Sequence, residues 1–255
     1  MSIDLSPLNG KKALVTAGAG KLGAEICLTL AGAGVDVAVN YRNSRDEAMA
    51  LVDHITARFG GNHAAVGADV GVAEDVARMV NETRSALGAV DILINNAGPF
   101  SKTPFVDLAE EEWDTVLESN VTATYACSAA VAPGMREAGW GRIVNLSAVS
   151  AYVRNRSIYG LAKAAIHTLT ESLALELGPE ITVNAVAPGQ IAESLDEMAG
   201  IDEDWARSVV DATPAGRLVT RAEVANLIVN LCLPTFDMVT GQVVAIDGGL
   251  RLPRF

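Results

Sequence analysis

The sequence predicts a single doubly wound α/β domain, with a seven-stranded parallel sheet and helices on both faces. Three observations carry that expectation. Seven short, β-branched apolar runs recur along the chain, longer stretches of helical pattern alternate with them, and the first run leads directly into a Gly-rich turn. Strands covered on both faces read as continuous apolar runs, because neither side meets water. A chain of 255 residues can bury roughly three quarters of its unfolded surface in one core. No internal repeat, low-complexity tract or Pro/Ser-rich linker divides it, so one domain over residues 1–255 is expected.

Lys12-Ala13-Leu14-Val15-Thr16 is the first strand, and the turn Thr16-Ala17-Gly18-Ala19-Gly20-Lys21-Leu22-Gly23 opens a helix from about Leu22 to Ala31. Asp36 to Asn40 is the second strand, with a helix from Arg45 to Phe59 after it. His63 to Val66 and Asp91 to Asn95 are the third and fourth, separated by a helix around Val72 to Leu87. Arg142 to Leu146, Ile181 to Val186 and Gln242 to Ile246 complete the set. Between the fifth and sixth, a helix from about Tyr159 to Leu177 carries Leu161, Ala164, Ile166, Leu169, Leu173 and Leu175 over several faces. Such a helix is buried on more than one side, which predicts a homodimer or homotetramer.

Nineteen Lys and Arg stand against 31 Asp and Glu, a formal net charge of −12. That field disfavours nucleic acid and anionic membranes as partners and leaves small molecules or further copies of the chain. No stretch reaches the ~18 uncharged apolar residues of a membrane span, and the polar, acid-containing start from Met1 to Lys12 is unlike a secretory signal. Cys27, Cys127 and Cys232 lie far apart in apolar sequence, which predicts buried free thiols and a reducing cytoplasm. His54, His63 and His167 show no ligand spacing, so no metal is expected.

The chemistry begins at Tyr159 and Lys163, four apart on one predicted helical face. A phenol titrates near ~10 and is a poor acid or base at neutral pH; a nearby ammonium favours the phenolate and draws its pKa toward the working range. The turn after the first strand has the small residues that let backbone approach a pyrophosphate at a helix N-terminus, with Thr16, Gly18, Lys21, Leu22 and Gly23 as candidate contacts. The second strand then selects the cofactor. An NAD site ends this strand with an acid for the ribose hydroxyls; here Asn40 is followed by Tyr41, Arg42, Asn43 and Ser44, with no acid before Asp46. Arg42 suits a 2′-phosphate and Ser44 can donate to it, so NADP(H) is expected.

With these residues in view, the chain resembles the short-chain dehydrogenase/reductase family over essentially its whole length. The ordered matches are the cradle Thr16 to Gly23, Asp69-Val70, Asn95-Asn96-Ala97-Gly98, Asn120 seven residues after Trp113, Tyr159 with Lys163, Pro188-Gly189, and Asp247-Gly248-Gly249. The resemblance implies a Rossmann fold and an NADP(H)-dependent reductase of a small ketone, or the reverse alcohol oxidation. It implies that Asp69 accepts from the adenine amino group and Val70 packs on the ring. It implies that the Asn95 to Gly98 turn lines the ribose, and that Pro188, Gly189 and Ile191 border the nicotinamide side. Tyr159 would exchange the proton, Lys163 would bind the ribose and lower the tyrosine pKa, and Asn120 would kink its helix and hold a water leading to Lys163.

Three departures from the family pattern matter. Ala17 and Lys21 replace glycines in the cradle, and Lys21 is familiar from NADPH-using members. The catalytic serine is out of register: an ungapped strand puts Ala148 at its position, Ser147 lies twelve residues before Tyr159 instead of thirteen, and Ser150 lies nine before. Ser147 serves if the strand end shifts by one residue; otherwise it points to the opposite side, leaving Ser150 or no serine. Finally, Ala192-Glu193-Ser194 stands where a threonine is usual, and Glu193 is acceptable near a pyrophosphate only if turned outward.

Residues 190–217 fall where the family carries a substrate lid, and their seven acids (Glu193, Asp196, Glu197, Asp202, Glu203, Asp204, Asp211) face Arg207 alone before Arg217. Such a lid would repel acidic carrier proteins, whereas Arg154 and Arg156 precede Tyr159, so a compact ketone with one anionic group is expected. The alternatives are a pterin- or enoyl-type reductase of C=N or C=C bonds, and a weakly catalytic NADP(H)-binding sensor.

Overall fold

A computed structural model describes residues 3–153, 157–197 and 203–252. All seven expected strands form: β1 (Lys12–Val15), β2 (Asp36–Tyr41), β3 (Ala64–Gly67), β4 (Ile92–Asn95), β5 (Gly141–Leu146), β6 (Ile181–Pro188) and β7 (Val243–Ile246). They make one parallel sheet in the order β3-β2-β1-β4-β5-β6-β7. The helices α1 (Lys21–Gly32), α2 (Arg45–Phe59), α3 (Ala73–Leu87) and α6 (Ile158–Leu177) occupy the expected stretches. Three further helices form outside the expected stretches: α4 (Glu110–Leu117) and α5 (Ala123–Ala138), joined by a π-helical turn over Glu118–Thr122, and α9 (Arg221–Leu231). Two short helices, α7 (Ala192–Asp196) and α8 (Glu203–Asp211), lie between β6 and α9.

Alternation along each strand divides the core into two layers. Ala13 and Val15 of β1 face a layer with Ile26 and Leu30 of α1, Ile55 of α2 and Ile228 of α9. Leu14 faces the other way, onto Met79 of α3, Met135 of α5 and Leu177 of α6. Helix α6 buries Ile166 and Leu173, but Leu161 and Leu175 are exposed. All three cysteines are free and buried. Among the described residues no helix is long and apolar enough to cross a membrane.

The chain runs from β1 outward through β2 and β3, then returns past β1 to start β4 on the other side. Loops diverge at that reversal and open a crevice at the carboxyl ends of the strands. Thr16 ties its two walls together. Its backbone N–H donates to the Ile94 carbonyl at 3.0 Å, and its hydroxyl accepts from the N–H groups of Asn96 and Ala97 at 2.9 and 3.0 Å.

Candidate active site

The Gly-rich turn is built to fine tolerances. A Cβ on Gly23 would lie 2.3 Å from the Ala17 carbonyl oxygen, and one on Gly18 would lie 2.9 Å from that of Val15. Ala17 adopts φ +47°, a left-handed conformation rare outside glycine. Asn40, a buried residue outside the motifs, holds it there: its Oδ1 accepts the Ala17 N–H at 3.0 Å and its backbone carbonyl accepts Gly18 N–H at 2.8 Å. Its amide Nδ2 donates to the carbonyls of Val66 and Ala68, both at 3.2 Å, anchoring the turn to the end of β3. Helix α1 begins directly after Gly20 with no side-chain cap, so its first-turn N–H groups are available to a ligand anion.

A cavity of about 350 Å³ adjoins this turn. It brings together Arg42, Asp69, Val70, Ala97 and Gly98 of the predicted contacts, and adds Asn40, Pro99, Thr115 and Ser119. Arg42 Nη1 stands 3.6 Å from Asp69 Oδ2 at the cavity rim. The other predicted contacts lie around it. Tyr41 turns its ring over Gly67, where a Cβ would come 3.0 Å from the ring. Asn43 and Ser44 are exposed, Ser44 at the start of α2 with its hydroxyl unused as a cap. Leu22 and Ile191 pack partly into the core. Pro188 ends β6, and Gly189 N–H donates to the Ile246 carbonyl at 3.0 Å, close enough to Asp247 that a Cβ would come within 2.8 Å of its side chain.

Two charged predictions take unexpected partners. Lys21 Nζ, at the first residue of α1, lies 2.6 Å from Glu197 Oε2. Glu193, which was acceptable only if turned outward, sets both carboxylate oxygens 3.2 Å from the Arg221 N–H at the start of α9. The acidity of the 190–217 stretch is therefore partly neutralised. Arg154, Arg156, Asp202 and the side chain of Asp196 lie outside the described residues.

Tyr159 and Lys163 do share one face of α6, with Nζ 5.4 Å from the phenol ring centroid. Lys163 is buried and Tyr159 half-buried, and desolvation governs both. It pushes the phenol up to about 12 and the ammonium down to about 8. The predicted fall in the tyrosine pKa is thus not produced by the protein's own groups: desolvation outweighs the ammonium, which donates to the Leu146 carbonyl at 2.7 Å. Phe100 packs edge-to-face on Tyr159, with ring centroids 5.0 Å apart.

Asn120 lies within the π-helical turn, buried. Its Nδ2 donates to the carbonyls of Val116 at 2.9 Å and Pro99 at 3.3 Å, while Oδ1 carries no partner among the described residues. That oxygen stands where a Cβ on Gly98 would be, at 2.1 Å, so the glycine is required. A cluster of Val116, Ile158 and Ala162 joins α4 to α6 beside Tyr159. Behind them runs a buried amide chain that sequence patterns do not reveal. Asn95 Nδ2 donates to Asn145 Oδ1 at 2.9 Å and Ser128 Oγ at 3.1 Å, and Asn145 Nδ2 donates to Thr170 Oγ1 at 2.9 Å. It locks β4, β5, α5 and α6 to one another.

The serines resolve into distinct environments. The β5–β6 ladder continues without a shift through Ser147, whose N–H donates to the Val186 carbonyl at 2.8 Å. Ser147 Oγ donates to the Lys163 carbonyl at 3.1 Å and lies 2.8 Å from His167 Nε2. A hydroxyl has one proton, so the imidazole is the donor in the second bond. Ala148 is extended at φ −159°, and Ser150 follows in a single 3₁₀ turn with a buried Oγ that has no partner among the described residues.

Comparison with known proteins gives one coherent result. A family model described as "Enoyl-(Acyl carrier protein) reductase" matches residues 18–251. The 3-oxoacyl-[acyl-carrier-protein] reductase FabG of Staphylococcus epidermidis is 34% identical over 245 residues, covering 95% of this chain and 99% of the relative. Short-chain reductase protein NovJ of Streptomyces niveus is 37% identical, covering 93% and 92%. Among solved structures, a gluconate 5-dehydrogenase from Burkholderia cenocepacia in complex with NADP and tartrate superposes with TM-score 0.90 at 27% identity, covering 98% of this chain and 99% of the other. A 7α-hydroxysteroid dehydrogenase complexed with NADH superposes with TM-score 0.89 at 32% identity, covering 98% of each chain. Neighbours of equal likeness thus hold different nicotinamide cofactors.

Proposed function

Because the chain belongs to the short-chain dehydrogenase/reductase family of NAD(P)-dependent oxidoreductases, we propose that it reduces a compact ketone with NADPH, or runs the reverse oxidation, with Tyr159 as the proton donor and acceptor. The observation that carries this reading is Tyr159 on the same helical face as Lys163 at the carboxyl ends of the sheet, with Nζ 5.4 Å from the phenol ring centroid.

The residues fit a dinucleotide. The cradle excludes even a Cβ at Gly18 and Gly23, the start of α1 is uncapped, and the adjoining cavity carries Asp69, Val70 and Arg42 for adenosine and its 2′-phosphate. When bound, the nicotinamide supplies the hydride. The chain's part is to place the substrate oxygen at Tyr159, to donate the phenolic proton as that oxygen gains charge, and to stabilise the resulting phenolate with the Lys163 ammonium. Asn120, whose Oδ1 has no partner among the described residues, ties its turn to α4, and the amide chain behind it fixes α6 against β4, β5 and α5 for that transfer. Ser147 spends its proton on the Lys163 carbonyl and supports the lysine turn. Ser150, whose hydroxyl has no partner among the described residues, is the serine we propose for the substrate oxygen.

For the substrate, the net charge of −12 argues against the acidic carrier proteins in the relatives' names and for a compact ketone. A second reading, reduction of a C=N or C=C bond, is favoured by Ala148 at the usual serine position. We place the enzyme in the reducing cytoplasm, in keeping with its three free, buried thiols. The test is a fluorescence titration with NADPH followed by a panel of ketones, imines and enones. Turnover of ketones alone supports the main reading, turnover of imines or enones alone supports the second, and binding without turnover of any member refutes both.

A further inference from the structure

Arg42 is the cation that suits a 2′-phosphate and Lys21 the cation in the cradle that is familiar from NADPH-using members, and their surroundings differ. Glu197 Oε2 accepts from Lys21 Nζ at 2.6 Å, and the same carboxylate takes a bidentate grip from Arg221, Nη1 at 3.0 Å and Nη2 at 2.5 Å. Lys21 opens α1, Arg221 opens α9, and these two helices pack against the same face of the sheet. Arg221 also receives Glu193 on its backbone N–H and approaches Ser194 Oγ at 3.4 Å. The charges of Lys21, Arg221, Glu193 and Glu197 sum to zero at the mouth of the cradle. Arg42 has only the looser 3.6 Å approach of Asp69 and a side chain 60% exposed at the cavity rim.

We infer that Lys21 does not select the phosphate: with Glu197 and Arg221 it forms an ionic clamp that holds α7 across the starts of α1 and α9, and cofactor selectivity rests on Arg42. This rests on the dinucleotide reading above and deepens it. Lys21 is then a positioning residue, acting through Glu197 on the helix beside the pyrophosphate, and its loss weakens NADPH and NADH alike. The sign of one substitution separates this from simple charge. Removing a carboxylate near a pyrophosphate should by Coulomb attraction tighten an anionic ligand. Removing a clamp should weaken it.

The test measures NADPH and NADH dissociation constants for the full chain and for Lys21→Met, Glu197→Gln, the double variant and Arg42→Ala, with hydrogen exchange of the 192–197 amides in the protein alone. Lys21→Met and Glu197→Gln should each weaken both nucleotides by about threefold, the scale of a partly exposed ion pair. The double variant should be no worse than either single one, because the two residues act as a unit. Both should speed exchange over 192–197. Arg42→Ala should weaken NADPH by on the order of tenfold or more, the loss of a charge-assisted phosphate contact, and leave NADH unchanged. Tighter binding in Glu197→Gln, a loss confined to NADPH in Lys21→Met, or unaltered exchange over 192–197 would each overturn the clamp. If the unmodified chain binds neither nucleotide, the dinucleotide reading fails, and the exchange measurement still decides whether the clamp exists.

Discussion

Ser147 Oγ lies 2.8 Å from His167 Nε2 and gives its only proton to the carbonyl of Lys163. The hydroxyl nearest in sequence to the family's catalytic serine is thereby committed to the helix that carries Tyr159 and Lys163. Ser147→Ala should lower kcat by less than about tenfold, with a small loss of stability from the broken bonds. Ser150→Ala should lower it by on the order of 10²–10³, the effect of removing one oxyanion donor. Steady-state NADPH oxidation by the two variants decides between them, and the reverse ranking would return the role to Ser147.

Tyr159 and Lys163 give opposite slopes with pH. Lys163 titrates at about 8 when folded and 10.5 when exposed, so between those values the unfolded chain binds a proton that the folded chain does not, and stability rises with pH. Tyr159 titrates at about 12 against 10.0, so from 10 to 12 the folded chain holds the extra proton and stability falls. Lys163→Met should therefore melt higher than the unmodified protein below pH 8 and lose that advantage by 10.5. A melting difference that does not vary with pH would contradict the burial account. For the reaction, reduction should keep its acid throughout the neutral range, whereas oxidation, which needs the phenolate, should accelerate with rising pH.

Ala17 and Asn40 give a prediction about the cradle. Left-handed backbone at a residue with a Cβ costs on the order of 1–3 kcal/mol, more than the entropy a glycine adds to the unfolded chain. Ala17→Gly should raise the melting temperature by about 2–4 °C, the change that ~1 kcal/mol produces in a chain of this size. Asn40→Ala should weaken NADPH severalfold, and by less when combined with Ala17→Gly. A melting temperature lowered by Ala17→Gly would show that the turn is not strained.

Leu161 is 45% exposed on α6, Tyr125 56% on α5, and Val106 91% just ahead of α4. Apolar exposure spread over neighbouring elements suits an interface between copies. Light scattering at micromolar concentration should return a dimer or tetramer mass, and a monomer mass would refute the assignment.

Much of this was legible in the sequence. All seven strands announce themselves as apolar runs, because burial on both faces allows little else, and the spacing from the cradle to Tyr159 follows from the sheet that separates them. What sequence could not supply was orientation. The Lys21 charge reads as phosphate-binding until Glu197, 176 positions later in the chain, is seen to take it. Asn40 looks like an ordinary strand residue until its amide is found under Ala17. The direction of the Tyr159 pKa depends on desolvation, which spacing along a helix does not report. The helices α4, α5 and α9 were missed although the start of α9 carries a recognisable signal, the Thr220/Glu223 capping box.

The central claim is that a protonated Tyr159 completes hydride transfer to a carbonyl, and Tyr159→Phe tests it most directly. Single-turnover reduction of a ketone found by the substrate panel, with NADPH binding measured on the same sample, separates chemistry from affinity. The account predicts that the variant binds NADPH as the unmodified protein does and loses turnover by at least about 10², the lower end of what a positioned general acid contributes. Unchanged turnover with intact binding would contradict it.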